Sequence, residues 1–422
     1  MKVLWFSNTA ASGAEVLKFG GLGGGWLASL DKQIASKVEL HVAFHYPKFA
    51  HSFVHLGVTY HPICHPQWKR TLLLSQFGID QPVAQKVQSY LALIEQVKPD
   101  VIHIHGTENE FGLIQAQVSI PVVTSIQGNI TVYQYKYSQG LGERLVSKRW
   151  FKPRGWFVPA WFPSFVDGLK KFDRMKSVEQ ASLAQAKWIM GRTAWDRRIT
   201  KILAPGARYI QSEEMLRPVF YQESWNAPPS VQAPVIHSTT GGNAYKGFET
   251  IAESLELLLK WNNKVVWQVA GLNENDLLVA AVRKKMGHRY PAKSIRFLGG
   301  LNATSLVNAL QQAHLYVMPS HIENSPNNLC EAMILGMPAV ATFAGGTASL
   351  LEDGKEGCLV QSGDPWAMAG TIIELLEDYQ TACGMGKQAR KRALMRHDPE
   401  AISQQLLAAY DLLKSNGSSH SN

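Results

Sequence analysis

Cysteine is scarce in this 422-residue chain, and its four copies, Cys64, Cys330, Cys358 and Cys383, lie far apart. They form no Cys-x-x-Cys step and no zinc spacing, which excludes a disulfide scaffold or zinc module and fits reduced cytosolic thiols. Long apolar runs are also missing, none reaching the roughly 18 residues that a membrane span needs. The start, Met1-Lys-Val-Leu-Trp-Phe-Ser7, reads as a short strand running into polar residues and carries no signal-peptide pattern. No Gly-Lys-Ser/Thr closes a glycine loop, so a Walker phosphate loop is excluded. No Asp-x-Asp ends a strand, so no metal site is implied, and no cofactor either. Internal repeats and low-complexity tracts are absent. Acids are short by comparison with bases, 33 against 42, for a net charge of +9. What the chain has in plenty is core material, 45% hydrophobic against 18% charged. That is enough for two domains of roughly 200 residues each.

Short β-rich runs alternate with helical patterns, as expected of parallel sheets wrapped by helices. In the first half the expected strands are Val3–Phe6, Val38–Phe44, Val101–His105 and Pro121–Ser125, with helices over Gln81–Gln96 and Val178–Ala186. Gln211 to Pro234, with four prolines, reads as an interdomain linker. The alternation then restarts with strands Val235–Ser238, Val265–Ala270, Ile295–Leu298, Leu315–Pro319 and Ala339–Thr342. Helices over Lys246–Leu259 and Ala303–Ala313 fall between them. The expected fold class is α/β, with two Rossmann-like domains whose parallel sheets face each other across a cleft. We place them at residues 1–215 and 216–400. A helix over 401–413 returns to the first domain, and 414–422 form a disordered tail. In such folds ligands bind outside the carboxyl ends of the strands.

The densest signal lies between Glu323 and Gly346. Ser325-Pro326 reads as an N-cap followed by proline at the first helical position, and Gly336 with Pro338 ends the helix. The helix is therefore expected over Pro326–Leu335, with the free N–H groups of Asn327 and Asn328 pointing at the end of the preceding strand. A helix N-terminus there is a prepared anion site. Glu323 lies in the loop before it and can meet sugar hydroxyls. Glu331, deeper in the helix, can reach a ribose hydroxyl. The plainer alternative is a βαβ unit carrying two unrelated acids.

The run Glu323-Asn-Ser-Pro-Asn-Asn-Leu-Cys-Glu331-Ala-Met-Ile-Leu-Gly336-Met-Pro338, followed by Gly345-Gly346, resembles the Glu-x7-Glu segment of retaining glycosyltransferases of family 4. The likeness extends through Lys246-Gly247, Val269-Ala-Gly271, Arg296-Phe-Leu-Gly299 and Asp353-Gly354 to Val360, most of the second domain. The resemblance implies the GT-B fold and transfer of a sugar from a nucleotide-diphosphate donor with retention. It makes 1–215 the acceptor side and 216–400 the nucleotide-sugar side, and it places the donor sugar on Glu323, the ribose on Glu331, the diphosphate charge on Lys246 and the base against the Leu298–Gly300 backbone. The family's second phosphate cation, an Arg shortly before that Lys, is missing from Ser238-Thr-Thr-Gly241-Gly242-Asn243. Gly242 and its neighbours, or Arg192 reaching over from the first domain, are the candidate replacements.

In the first half, Gly20-Gly-Leu-Gly23-Gly24-Gly25 follows the first strand. A dinucleotide fingerprint would put its third glycine at Trp26 and needs an acid closing the second strand, which ends Val-Ala-Phe-His45. A dehydrogenase is thereby disfavoured. The loop either lets backbone at Gly23 and Gly24 approach the donor phosphates or is simply flexible. His103-Ile-His105-Gly-Thr-Glu108 ends a strand and is similar to a His-x-His segment of the same family, putting His105 and Glu108 on the acceptor side. The alternative is that both histidines are satisfied by neighbouring backbone. Gln127 stands where many relatives carry a His over the sugar. It can hydrogen-bond a hydroxyl but not shuttle a proton, and the family's leaving phosphate is thought to serve as base. Gly191-Arg192-Thr-Ala-Trp195-Asp196-Arg197 resembles the branch that builds capsular or exported polysaccharides.

Between Lys136 and Lys176 stand ten Lys or Arg against three acids, interleaved with nine aromatics including Tyr137, Trp156, Trp161 and Phe172. Such a segment suits an anionic membrane surface. The competing readings are single-stranded nucleic acid and an insertion that packs its aromatics inside. The reading adopted is membrane docking beside a saccharide acceptor, polyprenyl-linked, at the cytoplasmic face, with no nucleic-acid partner. The competing function from another class is a non-catalytic nucleotide-sugar or saccharide-binding protein.

Overall fold

The computed structural model describes residues 1–17, 25–48, 51–64, 83–142 and 165–418. In the first half the strands are β1 (Lys2–Ser7), β2 (Glu39–His45), β3 (Phe53–His55), β4 (Val58–Ile63), β5 (Val101–His105), β6 (Val122–Ser125), β7 (Trp188–Gly191) and β8 (Arg208–Gln211). Between them run α1 (Ala14–Leu17), α2 (Trp26–Ile34), α3 (Val83–Val97), α4 (Ile130–Tyr133), α5 (Phe165–Leu183) and α6 (Ala194–Leu203). The strands form one sheet in the order β3-β4-β2-β1-β5-β6-β7-β8, parallel except for the β3–β4 hairpin. That hairpin has no counterpart in the sequence reading. Leu56 and Gly57 at its turn both have positive φ, 49° and 78°. This is the pattern of a two-residue hairpin loop, with leucine where Asn or Asp is usual.

A connecting helix α7 (Pro218–Gln222) leads into the second sheet. Its strands are β9 (Val235–Thr239), β10 (Val266–Ala270), β11 (Ile295–Gly299), β12 (Leu315–Met318), β13 (Ala339–Thr342) and β14 (Cys358–Val360). Their order is β11-β10-β9-β12-β13-β14, and all the pairs are parallel. Helices α8 (Phe248–Trp261), α9 (Leu277–Met286), α10 (Ala303–Gln311), α11 (Asn327–Leu335), α12 (Pro365–Glu377) and α13 (Tyr379–Arg396) cover both faces. Every residue of β5, β12 and β13 is buried, as the middle strands of a doubly covered parallel sheet must be.

The last helix, α14 (Pro399–Ser418), crosses back to the first sheet. Ile402, Leu406, Tyr410 and Leu413 join Val3 and Trp5 in one core, and each such burial contributes about 1.5–3 kcal/mol. Lys37 and Lys414 pair with Glu400 and Asp100 at 3.1 and 3.0 Å. The helix runs on to Ser418, past the boundary at 413 read from the sequence, with Ser415 and Asn416 donating to the Leu412 carbonyl in its last turn.

The two sheets meet through loops at the carboxyl ends of their strands. Thr193 and Asp196 form a capping box on α6. From there Thr193 Oγ1 donates to Asn324 Oδ1 at 2.7 Å, and Asn324 Nδ2 donates to Asp196 at 3.0 Å. The Ala194 amide donates to Ser349 Oγ at 3.1 Å. A second contact comes from α4 and the turns after it. Tyr133, Tyr137 and Leu141 belong to the same apolar cluster as Tyr245 and Phe248. Gly140, at φ +89°, approaches the Glu249–His321 pair so closely that a Cβ would collide with both side chains.

Candidate active site

The second sheet reverses its order between β9 and β12, and that crevice is where ligands bind in open α/β sheets. The chain leaving β9 makes a tight turn over Ala244–Lys246 and enters α8 through Gly247. Gly247 has φ +76°, and a Cβ on it would strike the Pro319 carbonyl beyond β12. Only glycine allows this approach, and it brings Lys246 onto the loop that carries Glu323. Lys246 Nζ lies 2.7 Å from Glu323 Oε1. The Ser320 hydroxyl donates to the same oxygen at 2.8 Å. Both bonds fall on Oε1, which leaves Oε2 as the carboxylate's remaining acceptor. Behind the carboxylate, Gly345 at φ +55° packs on the Glu323 carbonyl, which accepts from the Gly346 amide at 2.9 Å. Burial alone would lower the Lys246 ammonium, but the Glu323 carboxylate beside it more than offsets this and holds it above its ordinary value.

Helix α11 starts one residue later than the sequence reading has it. Pro326 occupies the cap position with extended backbone, and Ser325 does not cap the helix. Ser325 is one residue too far back to reach the first amides, and its hydroxyl is buried without a partner, as is the Asn327 side-chain oxygen. Asn328 turns its side chain inward, donating to the Thr239 carbonyl at 2.5 Å, which ties the helix tip to the end of β9. The unpaired amides of a helix start are the anion-binding element.

Glu331 lies on the buried face of α11, 4% exposed. Arg217, in the segment read as a linker, donates from Nε and Nη2 to its two oxygens, each at 2.7 Å. Burial raises the Glu331 carboxyl above its ordinary value, and Arg217 works against that rise. Nothing in the sequence pattern marks Arg217 except that it precedes Pro218 at the start of α7.

Arg192 is not free to supply the missing phosphate cation. Its guanidinium is 2.5 Å from Glu214 and stacks 5.0 Å over the Trp26 ring, all within the first domain. Burial pushes Glu214 up to about 7 even with Arg192 beside it. Gly241 and Gly242 have open space around them, so their backbone is accessible from the crevice. Leu298 and Gly299 end the edge strand β11, two strands from β9. The Gly299 amide donates to the Leu272 carbonyl at 3.1 Å, with φ +64° at Gly299. Gly23 and Gly24 lie outside the described residues, as do residues 143–164 of the basic segment. Of that segment's aromatics, Tyr137 and Phe172 pack inward against Tyr245.

On the first domain, His105 does not open to the cleft. It is 1% exposed and lies edge-on to Trp5 and Trp26, with centroids 4.5 and 5.7 Å away. Trp26 opens α2 and covers it. Its ring nitrogens have no partner, and it lines a cavity of about 20 Å³ with Ser125 and Arg192, space for a single water. His103 is structural. Trp5 Nε1 donates to Tyr410 Oη at 2.9 Å, Tyr410 lies 2.6 Å from His103 Nδ1, and His103 Nε2 lies 2.6 Å from Ser125 Oγ. Burial, with the Arg192 charge nearby, pushes His103 down to about 3; His105 is lowered by burial and by His103. Glu108 sits where β1 and β5 diverge, accepting from Asn8 at 2.7 Å, and burial raises its carboxyl. Gln127 is half-buried at the domain seam, its carbonyl 3.4 Å from Asn324 Nδ2. Two residues with no sequence signal complete the arrangement. Glu179 accepts from Thr107, from the Ile130 amide and from the Thr131 amide at 2.5, 3.0 and 2.7 Å. It thereby fixes α4 so that Tyr133 stands 5.4 Å from Tyr245, beside Lys246.

Comparison with known proteins agrees with this geometry. Residues 228–392, which include Lys246, Glu323 and Glu331, match the family described as Glycosyl transferases group 1. D-inositol 3-phosphate glycosyltransferase of Corynebacterium urealyticum is 34% identical over 119 residues, 28% of this chain and 28% of that protein. Sulfoquinovosyl transferase SQD2 of Arabidopsis thaliana is 27% identical over 333 residues, 74% of this chain and 58% of that protein. Phosphatidyl-myo-inositol mannosyltransferase of Mycobacterium leprae is 26% identical over 174 residues, 41% and 45% of the two chains. The matches thus span less than two thirds of these relatives' lengths. Among solved structures, sucrose-phosphate synthase of Thermosynechococcus elongatus superposes with a TM-score of 0.74 at 14% identity, covering 99% of this chain and all of the other. HepE of Anabaena, in complex with UDP-glucose, does so with a TM-score of 0.63 at 16% identity, covering 97% of this chain and all of the other. The chain has the GT-B fold, and its second domain is a glycosyl transferases group 1 domain.

Proposed function

We propose that this protein moves a sugar from a nucleoside-diphosphate donor to a saccharide acceptor with retention of configuration. The observation that carries the reading is the Lys246–Glu323 pair at the tip of α11, with Glu331 further along the same helix. The diphosphate lies against the amides of Asn327 and Asn328 and the Lys246 ammonium. Glu323 Oε2 accepts from a sugar hydroxyl, Glu331 from the ribose, and the base lies toward Leu298 and Gly299. The C1–O bond to the diphosphate breaks, and the acceptor oxygen bonds to C1 on the same face. Its proton passes to the departing phosphate oxygen. Lys246 stabilises charge as it develops on that leaving group. Glu108 and Gln127 face the acceptor. The charge is neutralised by protein groups alone, with no metal ion in this reading.

The acceptor is lipid-borne, and the chain works at the cytoplasmic face of a membrane through residues 136–176, in exported-polysaccharide or related glycan synthesis. A relative named for its action on phosphatidyl-myo-inositol supports a lipid-borne acceptor. No helix among the described residues is long and apolar enough to cross a membrane. The engagement of Arg192 by Glu214, leaving one phosphate cation fewer, favours a second reading as a donor-binding protein without turnover. Incubation with UDP-, GDP- and ADP-sugars and extracted membrane lipid, with and without a chelator, decides between them. Release of nucleoside diphosphate together with an α-configured product from an α-configured donor supports transfer. Binding of a donor without release, across acceptors, supports the second reading.

A further inference from the structure

Arg217 lies outside the resemblance, in the stretch joining the domains, yet it makes the most specific contact to Glu331. A fork of two N–H groups meeting the two oxygens of one carboxylate fixes its plane as well as its charge. The fork is itself held in place. Pro218 follows at the first position of α7, and the guanidinium stacks 4.9 Å over the Phe220 ring. The other titratable groups facing Glu331 are Tyr221 from α7, Tyr316 from β12 and Cys330 from its own helix. Burial pushes Tyr221 and Cys330 up to about 12, and Tyr316 well above its ordinary value. These three are neutral across the accessible pH range, so the charge that meets Glu331 is that of Arg217. An ionised carboxylate has about four lone-pair sites. The fork takes the two that point the same way, one on each oxygen, and leaves one outward-pointing lone pair on each oxygen, able to accept from a ribose hydroxyl.

We infer that Arg217 is a positioning residue for nucleotide recognition: its fork fixes the plane of the Glu331 carboxylate and so the direction in which a free lone pair meets a ribose hydroxyl. The inference rests on the reading of Glu331 as the ribose acceptor. Arg217 also works against the rise that burial imposes on the Glu331 carboxyl, and a protonated carboxyl has fewer acceptor sites than a carboxylate.

The test is calorimetric titration, between pH 6.5 and 8.5, of whichever of UDP, GDP and ADP the wild-type chain binds most tightly. Each variant is compared with wild type at the same pH, so that titration of the diphosphate itself cancels. Arg217→Gln should weaken binding about tenfold at pH 6.5, and the loss should shrink as the pH rises toward 8.5. Arg217→Lys, which keeps the charge without the fork, should bind with intermediate affinity and a flat profile. In a Glu331→Gln background Arg217→Gln should change affinity by less than twofold, and that double variant has no unpaired buried charge to impair folding. Wild-type affinity in Arg217→Gln at every pH would overturn the proposal. So would an equal loss in the Glu331→Gln background, or a pH-independent loss that Lys does not relieve. If wild type binds the nucleotide but Glu331→Gln alone has no effect, it is the ribose role of Glu331 that fails, and Arg217's with it.

Discussion

Glu323 lies in the loop before α11 and Glu331 lies within that helix, so removing each should have a different effect on the two parts of a nucleotide sugar. In Glu323→Ala the lost contact is the one from Oε2 to a sugar hydroxyl, because Oε1 is already occupied by Lys246 and Ser320 at 2.7 and 2.8 Å. A charge-assisted hydrogen bond contributes about 1.5–3 kcal/mol, or about 10- to 150-fold in affinity. The same change frees Lys246 from its counter-ion, so the site becomes more positive where a diphosphate binds. The free nucleoside diphosphate that wild type binds should therefore bind Glu323→Ala as well as wild type or better, while its nucleotide sugar loses the whole advantage it has over the diphosphate. Glu331→Ala should do the reverse, weakening both ligands by the same 10-fold or more. Isothermal titration of both ligands against both variants supplies the four affinities. If Glu323→Ala loses the nucleoside diphosphate and Glu331→Ala keeps it, the assignment of the two carboxylates is reversed and the reasoning from position along α11 is wrong.

Lys246→Ala should lower turnover by about 100-fold or more while weakening donor binding much less, as expected for a group acting mainly on charge in the transition state; steady-state kinetics beside titration would show it, and unchanged turnover would assign the role to the Gly241–Gly242 backbone. Burial, aided at His103 and His397 by nearby arginines, holds His103 to about 3 and His237 and His397 to about 4, against 6.5 for an exposed ring. Below pH 6.5 the unfolded chain therefore binds protons that the folded chain refuses, so this stability is complete above that pH and lost on acidification. At pH 5.5 each histidine should cost about 1.4 kcal/mol, and Tm should fall between pH 7.5 and 5.5 by several degrees; a flat Tm would mean these rings are not held neutral. Residues 136–176 should carry the chain onto anionic but not neutral vesicles, with binding lost at high salt and when Lys148, Arg149, Lys152 and Arg154 become Ser; sedimentation with both vesicle types distinguishes this from a packed insertion, which would bind neither.

Strands β5 and β13 occupy the same residues as the sequence reading gives them, Val101–His105 and Ala339–Thr342. Short apolar runs buried on both faces leave little choice of boundary. The Glu-x7-Glu run was legible for a related reason, since its spacing, prolines and glycines are local chemistry. Arg217 was not, because a linker's course is set by what it packs against and not by its own pattern. Asn324 falls within the run, but its role as the link to Thr193 and Asp196 depends on a domain contact that no local pattern shows. His105 illustrates the opposite error. Its place at a strand end was right, but the side chain that covers it is Trp26, from a helix far from it in sequence. Helix α5 begins at Phe165 and not at Val178, its apolar spacing hidden among lysines and an early glycine.

Tyr410, on the helix that crosses back, hydrogen-bonds toward Trp5 and His103, so the order of synthesis and the order of assembly differ. At about 5–20 residues per second, the ribosome needs about 10–40 s after finishing the first sheet to deliver α14. Throughout that interval one face of the sheet around Val3 and Trp5 lacks its cover, and the second domain has time to close first. The nascent chain is thus exposed to aggregation or chaperone capture at its first sheet, and release from that state waits on a helix made only after the second domain.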